Sequence, residues 1–156
     1  MEQLAIVRAR TDISGASLSQ LIVRELLVSA LFDRHVVVLR EEHRHRYEAM
    51  VQALGRLLPA RSVSWRPVDG GLYVWVHLDD PRLDAARLQM AAARAGVMVV
   101  AGQPFYADGG GERRLRLCFA GVPPAGIETG ISRLVSTVRT IADAPAVDPP
   151  PTRPLV

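Results

Sequence analysis

The chain has 156 residues, is 49% hydrophobic and 22% charged, and carries a formal net charge of +3 from 19 basic and 16 acidic side chains. This length suits one domain, no apolar run approaches the ~20 residues of a membrane-spanning helix, and one cysteine excludes an internal disulfide. All 19 basic side chains are arginine, and a guanidinium is not nucleophilic, so no side chain here can form a Schiff base with a carbonyl cofactor.

The first part of the chain predicts helices separated by a loop. Residues 2–10 fit a short helix, and residues 11–16 are typical of a loop. Ser17 and Gln20 have the spacing of a capping box, so we expect a helix that begins at Ser17 and ends near Leu31.

A long helix is predicted over residues 33–58. Its second half repeats apolar residues at intervals of three and four, which is typical of a helix with one buried face. These residues are Tyr47, Met50, Val51, Leu54, Leu57 and Leu58. Residues 40–46 are polar on nearly every side, so either water or another polypeptide surrounds that segment.

Four short strands are predicted after this helix. The clearest covers residues 72–78, where both alternating sets of side chains are largely apolar, which predicts layers on both faces of a sheet. The other candidate strands are residues 62–65, 97–100 and 114–119, and residues 67–71 are typical of a turn.

Two more helices complete the pattern. One covers residues 84–95 and ends at Gly96, and the other begins at Pro123-Pro124, with Pro124 in the first turn. The apolar stripe of the second is Ile127, Ile131, Leu134, Val135, Val138 and Ile141. Residues 143–156 are rich in proline and lack periodicity, so we predict a disordered tail. Helices first, then strands and helices in alternation, predict an α+β fold with two layers.

Few side chains suggest a nucleophile or a metal site. His43 and His45 diverge on a helix, and we expect no metal site. Cys118 would need a partner base and a lowered pKa to act as a nucleophile, and we expect a buried structural thiol instead. Residues 109–111 are three glycines of a plain turn and do not match a phosphate-binding loop. We therefore assign no catalytic residue.

Three segments in register carry a resemblance to a known family: residues 69–76, 96–106 and 114–120. In this order and spacing the sequence resembles the C-terminal segment of class I/II pyridoxal-phosphate-dependent aminotransferases. The similarity is to the subgroup of aminoadipate-type transaminases and the aminotransferase-like domains of MocR-type (GntR-family) regulators. The resemblance covers residues 2–142. It implies the two-layer small domain of a fold-type I aminotransferase, in which N-terminal helices precede a short sheet flanked by helices.

Arg116 is the residue to which the resemblance gives a clear role. The arginine of the family's Leu-Arg-Leu strand binds the α-carboxylate of the amino acid substrate, and a guanidinium can hold a carboxylate through two charge-assisted hydrogen bonds. Strand alternation puts one set of side chains on one face, Arg114, Arg116 and Cys118, and the other set on the opposite face, Leu115, Leu117 and Phe119. From the residues alone, an arginine in an apolar strand needs a counter-charge, so Arg116 either pairs with a carboxylate of the same chain or lies on an edge of the sheet.

Weaker expectations concern Gly71, Gln103 and Tyr106. The resemblance implies that residues 102–106 lie over the substrate side chain and that Gly71 lets the backbone approach the ligand. Turn formation explains the glycines and proline of both segments equally well.

The resemblance also implies which groups these residues do not supply. In the family, the cofactor lysine and most phosphate contacts lie in a larger upstream domain, and the active site forms at a dimer interface. We therefore expect pyridoxal phosphate only in a complete assembly, not covalently bound to this chain. The expected partners are a large-domain polypeptide or a homodimer partner, and an amino acid substrate.

Three functions stay open from the sequence. The first is amino group transfer between an amino acid and a 2-oxo acid by a complete assembly, with the isolated chain inactive. The second is ligand sensing within a MocR-type regulator, and the third is a non-catalytic remnant or interaction module. The basic composition is weak evidence for nucleic acid binding, and we expect neither nucleic acid nor membrane contact. The N-terminus lacks the pattern of a signal peptide, so we expect a cytoplasmic location.

Overall fold

The computed structural model describes residues 2–11, 15–58 and 62–143. That part of the chain contains five α-helices, four strands and one short 3-10 helix, Gln103–Phe105. The helices are α1 (Glu2–Thr11), α2 (Ser17–Val28), α3 (Ala30–Leu57), α4 (Ala85–Arg94) and α5 (Pro124–Asp143). The strands are β1 (Val63–Trp65), β2 (Tyr73–Leu78), β3 (Val100–Ala101) and β4 (Arg114–Cys118). The chain divides into two compact units, Met1–Glu42 and His43–Val156.

The first unit contains α1, α2 and the start of α3. α2 begins at Ser17 as predicted, but the capping-box explanation is wrong. Its N-cap is Ala16, no side chain caps the helix, and the Ser17 hydroxyl donates to the Gly15 carbonyl at 3.2 Å instead. The helix ends at Val28 rather than near Leu31, because Ser29 adopts an extended backbone and donates its hydroxyl to the Leu26 carbonyl at 2.8 Å.

The apolar side chains of the first unit are open to solvent in this structure. None of its described residues is buried. Leu18 is 72% exposed, Ile22 61% and Leu31 62%. So many exposed large apolar groups on neighbouring turns are uncommon at a protein surface.

The second unit is built on a four-stranded antiparallel sheet in the order β1-β2-β4-β3. On one face of this sheet the side chains are fully buried, among them Val74, Val76, Leu78, Leu115 and Leu117. The strand period of two predicted this alternation in β2 and β4, and the burial confirms it.

Helices cover that face and complete the core. The predicted stripe of α5 is confirmed, since all six of its members are buried. α4 begins after Asp84, whose carboxylate accepts the amide N–H of Arg87 at 2.8 Å, and it is followed by Gly96 at φ +75°. From α3, Met50, Ala53 and Leu54 join the same core. The arrangement is one sheet and one helix layer, an α+β fold as predicted.

Three predictions about this unit need correction or fall outside the described residues. The strand predicted over residues 97–100 is shorter and lies later, at Val100–Ala101. Residues 97–99 connect α4 to this strand, and Met98 among them is 92% exposed. The second face of β2 was predicted to be covered by another layer, but it is half exposed: Tyr73 and Trp75 are each 37% exposed. α5 extends to Asp143, and the rest of the predicted tail, residues 144–156, lies outside the described residues. In residues 2–11, 15–58 and 62–143, no helix combines the length and the apolar character that crossing a membrane requires.

Candidate functional site

Arg116 lies in the middle of the half-exposed face of the sheet. It is the third residue of β4, which pairs with a strand on each side. It pairs with Trp75 of β2 and with Val100 of β3. Because its neighbours Leu115 and Leu117 point into the core, the side chain of Arg116 must point to the other face, where it is half-buried.

Two aromatic rings contact the guanidinium of Arg116, and a third ring packs against one of them. Its Cζ lies 4.2 Å from the centre of the Tyr73 ring and 4.6 Å from the centre of the Phe105 ring. Trp75 contacts Phe105 edge to face, with ring centres 5.3 Å apart and an interplanar angle of 88°. We call Tyr73, Trp75 and Phe105 the aromatic clamp.

The guanidinium of Arg116 has no carboxylate partner in the part of the chain that the structure describes. Its only recorded contacts there are with the two rings. Arg113, by contrast, uses its guanidinium structurally and donates to the carbonyls of Leu78 at 2.8 Å and Asp79 at 2.6 Å. Among the described residues, no carboxylate of the same chain neutralises Arg116, and Arg116 is not on a sheet edge, because β4 pairs with β2 and β3.

Two glycines hold the 3-10 helix that carries Phe105 against the sheet. The amide of Gly102 donates to the Arg114 carbonyl at 2.7 Å. A Cβ added at Gly102 would lie 2.6 Å from the Arg114 Cβ, and one added at Gly111 would lie 2.7 Å from the Gly102 carbonyl carbon. Such approaches are possible only for residues without a side chain, so this packing fixes where Phe105 lies.

The other predicted site residues lie near the clamp residues along the chain. Gln103 opens the 3-10 helix, and Tyr106 follows it with 44% of its surface exposed. Gly71 precedes β2 at φ +93°, and a Cβ there would meet nothing within 4 Å. Its backbone conformation alone explains the glycine. A role in ligand binding for these three residues stays a prediction.

The remaining candidates do not form a second site. Cys118 is exposed, so the expectation of a buried thiol is wrong: it follows Leu117 on β4 and shares the open face with Arg116. The described residues hold no cluster of three or more potential metal ligands. The carboxyl group of Asp80 has a strongly shifted pKa. Hydrogen bonds from Arg82 lower its pKa to about 2, in the turn after β2.

The sequence did not identify the aromatic clamp. The alternation of β2 predicts only that Tyr73 and Trp75 point away from Val74 and Val76. The resemblance places Phe105 in a segment over the substrate side chain, with no contact to Arg116. Their approach to Arg116 depends on the pairing of β2 with β4, which joins segments about forty residues apart and has no local signal.

Known proteins resemble both the sequence and the fold of this chain. The family described as "Aminotransferase class I and II" matches residues 2–134. A 2-aminoadipate transaminase of Thermus thermophilus is 35% identical over 134 residues, which cover 86% of this chain and 33% of that protein. The transcriptional regulator NorG of Staphylococcus aureus, of the HTH type, is 26% identical over 141 residues, 90% of this chain and 31% of the regulator.

Two solved structures show the same fold. LysN, an α-aminoadipate aminotransferase of Thermus thermophilus solved with N-(5'-phosphopyridoxyl)-L-leucine, matches with a TM-score of 0.81 and 33% identity, over 90% of this chain and 36% of its own. A kynurenine aminotransferase of Pyrococcus horikoshii, solved in complex with PMP, matches with a TM-score of 0.84 and 28% identity, over 92% of this chain and 35% of its own. The chain thus spans about a third of the length of these proteins.

Proposed function

This chain belongs to the aminotransferase class I and II family, and we propose that it forms the part of a pyridoxal-phosphate-dependent aminotransferase that binds the substrate carboxylate. In this proposal Arg116 holds the α-carboxylate of the amino acid or 2-oxo acid. The observation that carries the proposal is the guanidinium of Arg116, held between strands on an open sheet face, with no carboxylate among the described residues to occupy its N–H groups.

Residues 2–142 act in this proposal as the small domain, and the substrate side chain lies beside the segment that follows β3. Gln103 and Tyr106 line that side, and Gly71 leaves the backbone before β2 open to a ligand. Their support is position along the chain: Gln103 begins the 3-10 helix that carries Phe105, Tyr106 follows that helix with 44% of its surface exposed, and Gly71 precedes β2.

The residues present do not fit covalent attachment of the cofactor. Pyridoxal phosphate is bound in aminotransferases through a lysine amine, and this sequence has no lysine. In the proposed assembly the lysine and the phosphate contacts therefore come from residues other than these 156. A large-domain polypeptide or a second subunit is the expected partner. The uncovered apolar side chains of the first unit, such as Leu18 and Ile22, support contact with such a partner.

A second candidate function is ligand sensing in a regulator. It is favoured by the similarity to HTH-type regulators, one of which is matched over 90% of this chain. Arg116 would bind the same carboxylate in both cases, so carboxylate binding is the property to test first.

The test is a titration of the ¹⁵N-labelled chain with sodium acetate, at constant ionic strength maintained with chloride. Acetate presents the carboxylate alone, and we expect the guanidinium N–H signal of Arg116 to move along a saturable curve. Arg116→Ala removes the guanidinium that binds the carboxylate. Arg116→Lys keeps the positive charge but cannot form the bidentate hydrogen bond to the carboxylate. Arg139→Ala removes the same charge from an exposed position of α5 and serves as the matched control. Saturable binding that survives in Arg116→Ala contradicts the assignment.

A further inference from the structure

The aromatic clamp gives Arg116 an unusual environment. Tyr73 and Phe105 both lie under the guanidinium Cζ, at 4.2 and 4.6 Å, and Trp75 supports Phe105 from its edge. Resting on the proposed function, we propose that Tyr73, Trp75 and Phe105 are positioning residues. They hold the guanidinium of Arg116 in its carboxylate-binding orientation before any ligand arrives.

Stacking and carboxylate binding use different parts of a guanidinium. An aromatic ring attracts a cation that lies over the face of the ring, whereas a carboxylate accepts hydrogen bonds from N–H groups that point outward in the guanidinium plane. Arg116 donates no side-chain hydrogen bond to the described residues, so its ring contacts and a carboxylate contact are compatible. An arginine side chain also has many rotamers, and fixing it in advance removes an entropic cost that the ligand would otherwise meet on binding.

The rings of the clamp come from both sides of β4. In the β2–β4 register Trp75 lies directly opposite Arg116, while Tyr73 lies opposite Cys118 and is therefore a diagonal neighbour of Arg116. A diagonal neighbour is within reach of an aromatic and a long side chain. Phe105 comes from the other side, because the 3-10 helix directly follows β3, whose Val100 pairs with Arg116.

The clamp is open on its outer side, which distinguishes it from ordinary core packing. Tyr73 and Trp75 are each 37% exposed, and Phe105 is 45% exposed. Its rings can therefore stack on Arg116 without closing the route by which a small anion would reach the N–H groups. For the same reason Phe105 contributes little to the core, so its substitution should leave the chain folded.

The first test reads the stack directly. Aromatic rings displace the signal of a nearby proton, so the guanidinium Nε–H of Arg116 should lie upfield of the exposed arginines in the ¹⁵N spectrum of the full chain. We expect Phe105→Leu to move it back towards them and Phe105→Tyr to keep it displaced. Arg139→Ala changes an exposed position of α5 and should leave the displacement unchanged. An undisplaced signal in the unsubstituted chain, or one that Phe105→Leu does not move, overturns the proposal.

The second test reads the consequence for binding, again with sodium acetate as the probe. Phe105→Leu should weaken acetate binding about threefold to tenfold, in keeping with one lost cation–ring contact, and Phe105→Tyr should restore it. If Phe105→Leu binds acetate as tightly as the unsubstituted chain, the clamp does not position Arg116, although the proposed function stands. If the unsubstituted chain itself shows no binding at Arg116, the proposed function fails, and the clamp's role in binding fails with it.

Discussion

Alanine at Gly111 should destabilise the second unit more than alanine at Gly109, two positions earlier in the same turn. The two glycines have nearly the same backbone angle, φ +83° and +79°. They differ in their surroundings. A Cβ at Gly111 would lie 2.7 Å from the Gly102 carbonyl carbon and 2.8 Å from the Gln103 amide nitrogen, whereas one at Gly109 would meet nothing within 4 Å.

The expected cost follows from those two facts. A residue with a side chain in the left-handed region costs about 1–2 kcal/mol, and both variants incur that cost. Only Gly111→Ala also places a methyl group against the backbone of Gly102 and Gln103, which unlike a side chain has no alternative rotamer, and this overlap adds about 1–3 kcal/mol. We therefore expect a loss of about 1–2 kcal/mol for Gly109→Ala and about 2–5 kcal/mol for Gly111→Ala.

Urea unfolding of the two variants and the parent chain measures this difference, with the slope of the transition checked for constancy. The same samples report on the site, since the displaced segment carries Phe105 and the Arg116 Nε–H signal should shift in Gly111→Ala alone. Equal destabilisation by both variants would refute the reasoning, because it would mean that residues 102–103 do not approach the turn as closely as described.

Two further predictions concern stability. Leu54→Ala removes a side chain with no exposed surface and should cost about 2–5 kcal/mol in urea unfolding. Met98→Ala, at a side chain 92% exposed, should change stability by less than about 0.5 kcal/mol, and a comparable loss in both would contradict the core assignment. Asp80 has a pKa lowered from 3.8 to about 2 by hydrogen bonds from Arg82, so its stabilising contribution is complete above pH 4 and is lost as the pH falls through 2. The stability difference between the parent chain and Asp80→Asn should accordingly shrink between pH 4 and pH 2, and a constant difference would rule out this linkage.

Local patterns predicted the elements whose signals lie within one segment. The stripe of α5 and the alternation of β4 repeat over many residues, so the buried set from Ile127 to Ile141 and the outward direction of Arg116 could be predicted. The start of α2 at Ser17 was also predicted, although no capping bond from Ser17 forms. The first residue of a helix can therefore be predicted correctly from a capping pattern even when the capping hydrogen bond does not form, because the start of a helix also depends on the backbone of the residues before it.

Features that depend on pairing between distant segments could not be predicted. β3 consists of the two residues that pair with β4, Val100 with Arg116 and Ala101 with Leu115. The apolar residues before Val100 made a longer strand, residues 97–100, look plausible from the sequence. Cys118 is a different case, because the local strand alternation already places it on the face of Arg116, and only its residue type favoured the core. The aromatic clamp requires β2, β4 and the segment after β3 to meet, which no single stretch of sequence encodes.

Native mass spectrometry, on material purified gently from the cells that produce this sequence, tests the central claim most directly. The account predicts that these residues occur in an assembly that also contains a lysine-bearing segment, on the same or a second polypeptide, and the added mass of pyridoxal phosphate. A bare 17.0 kDa chain, alone or as a homo-oligomer without cofactor, would contradict the claim that this domain works as part of an aminotransferase.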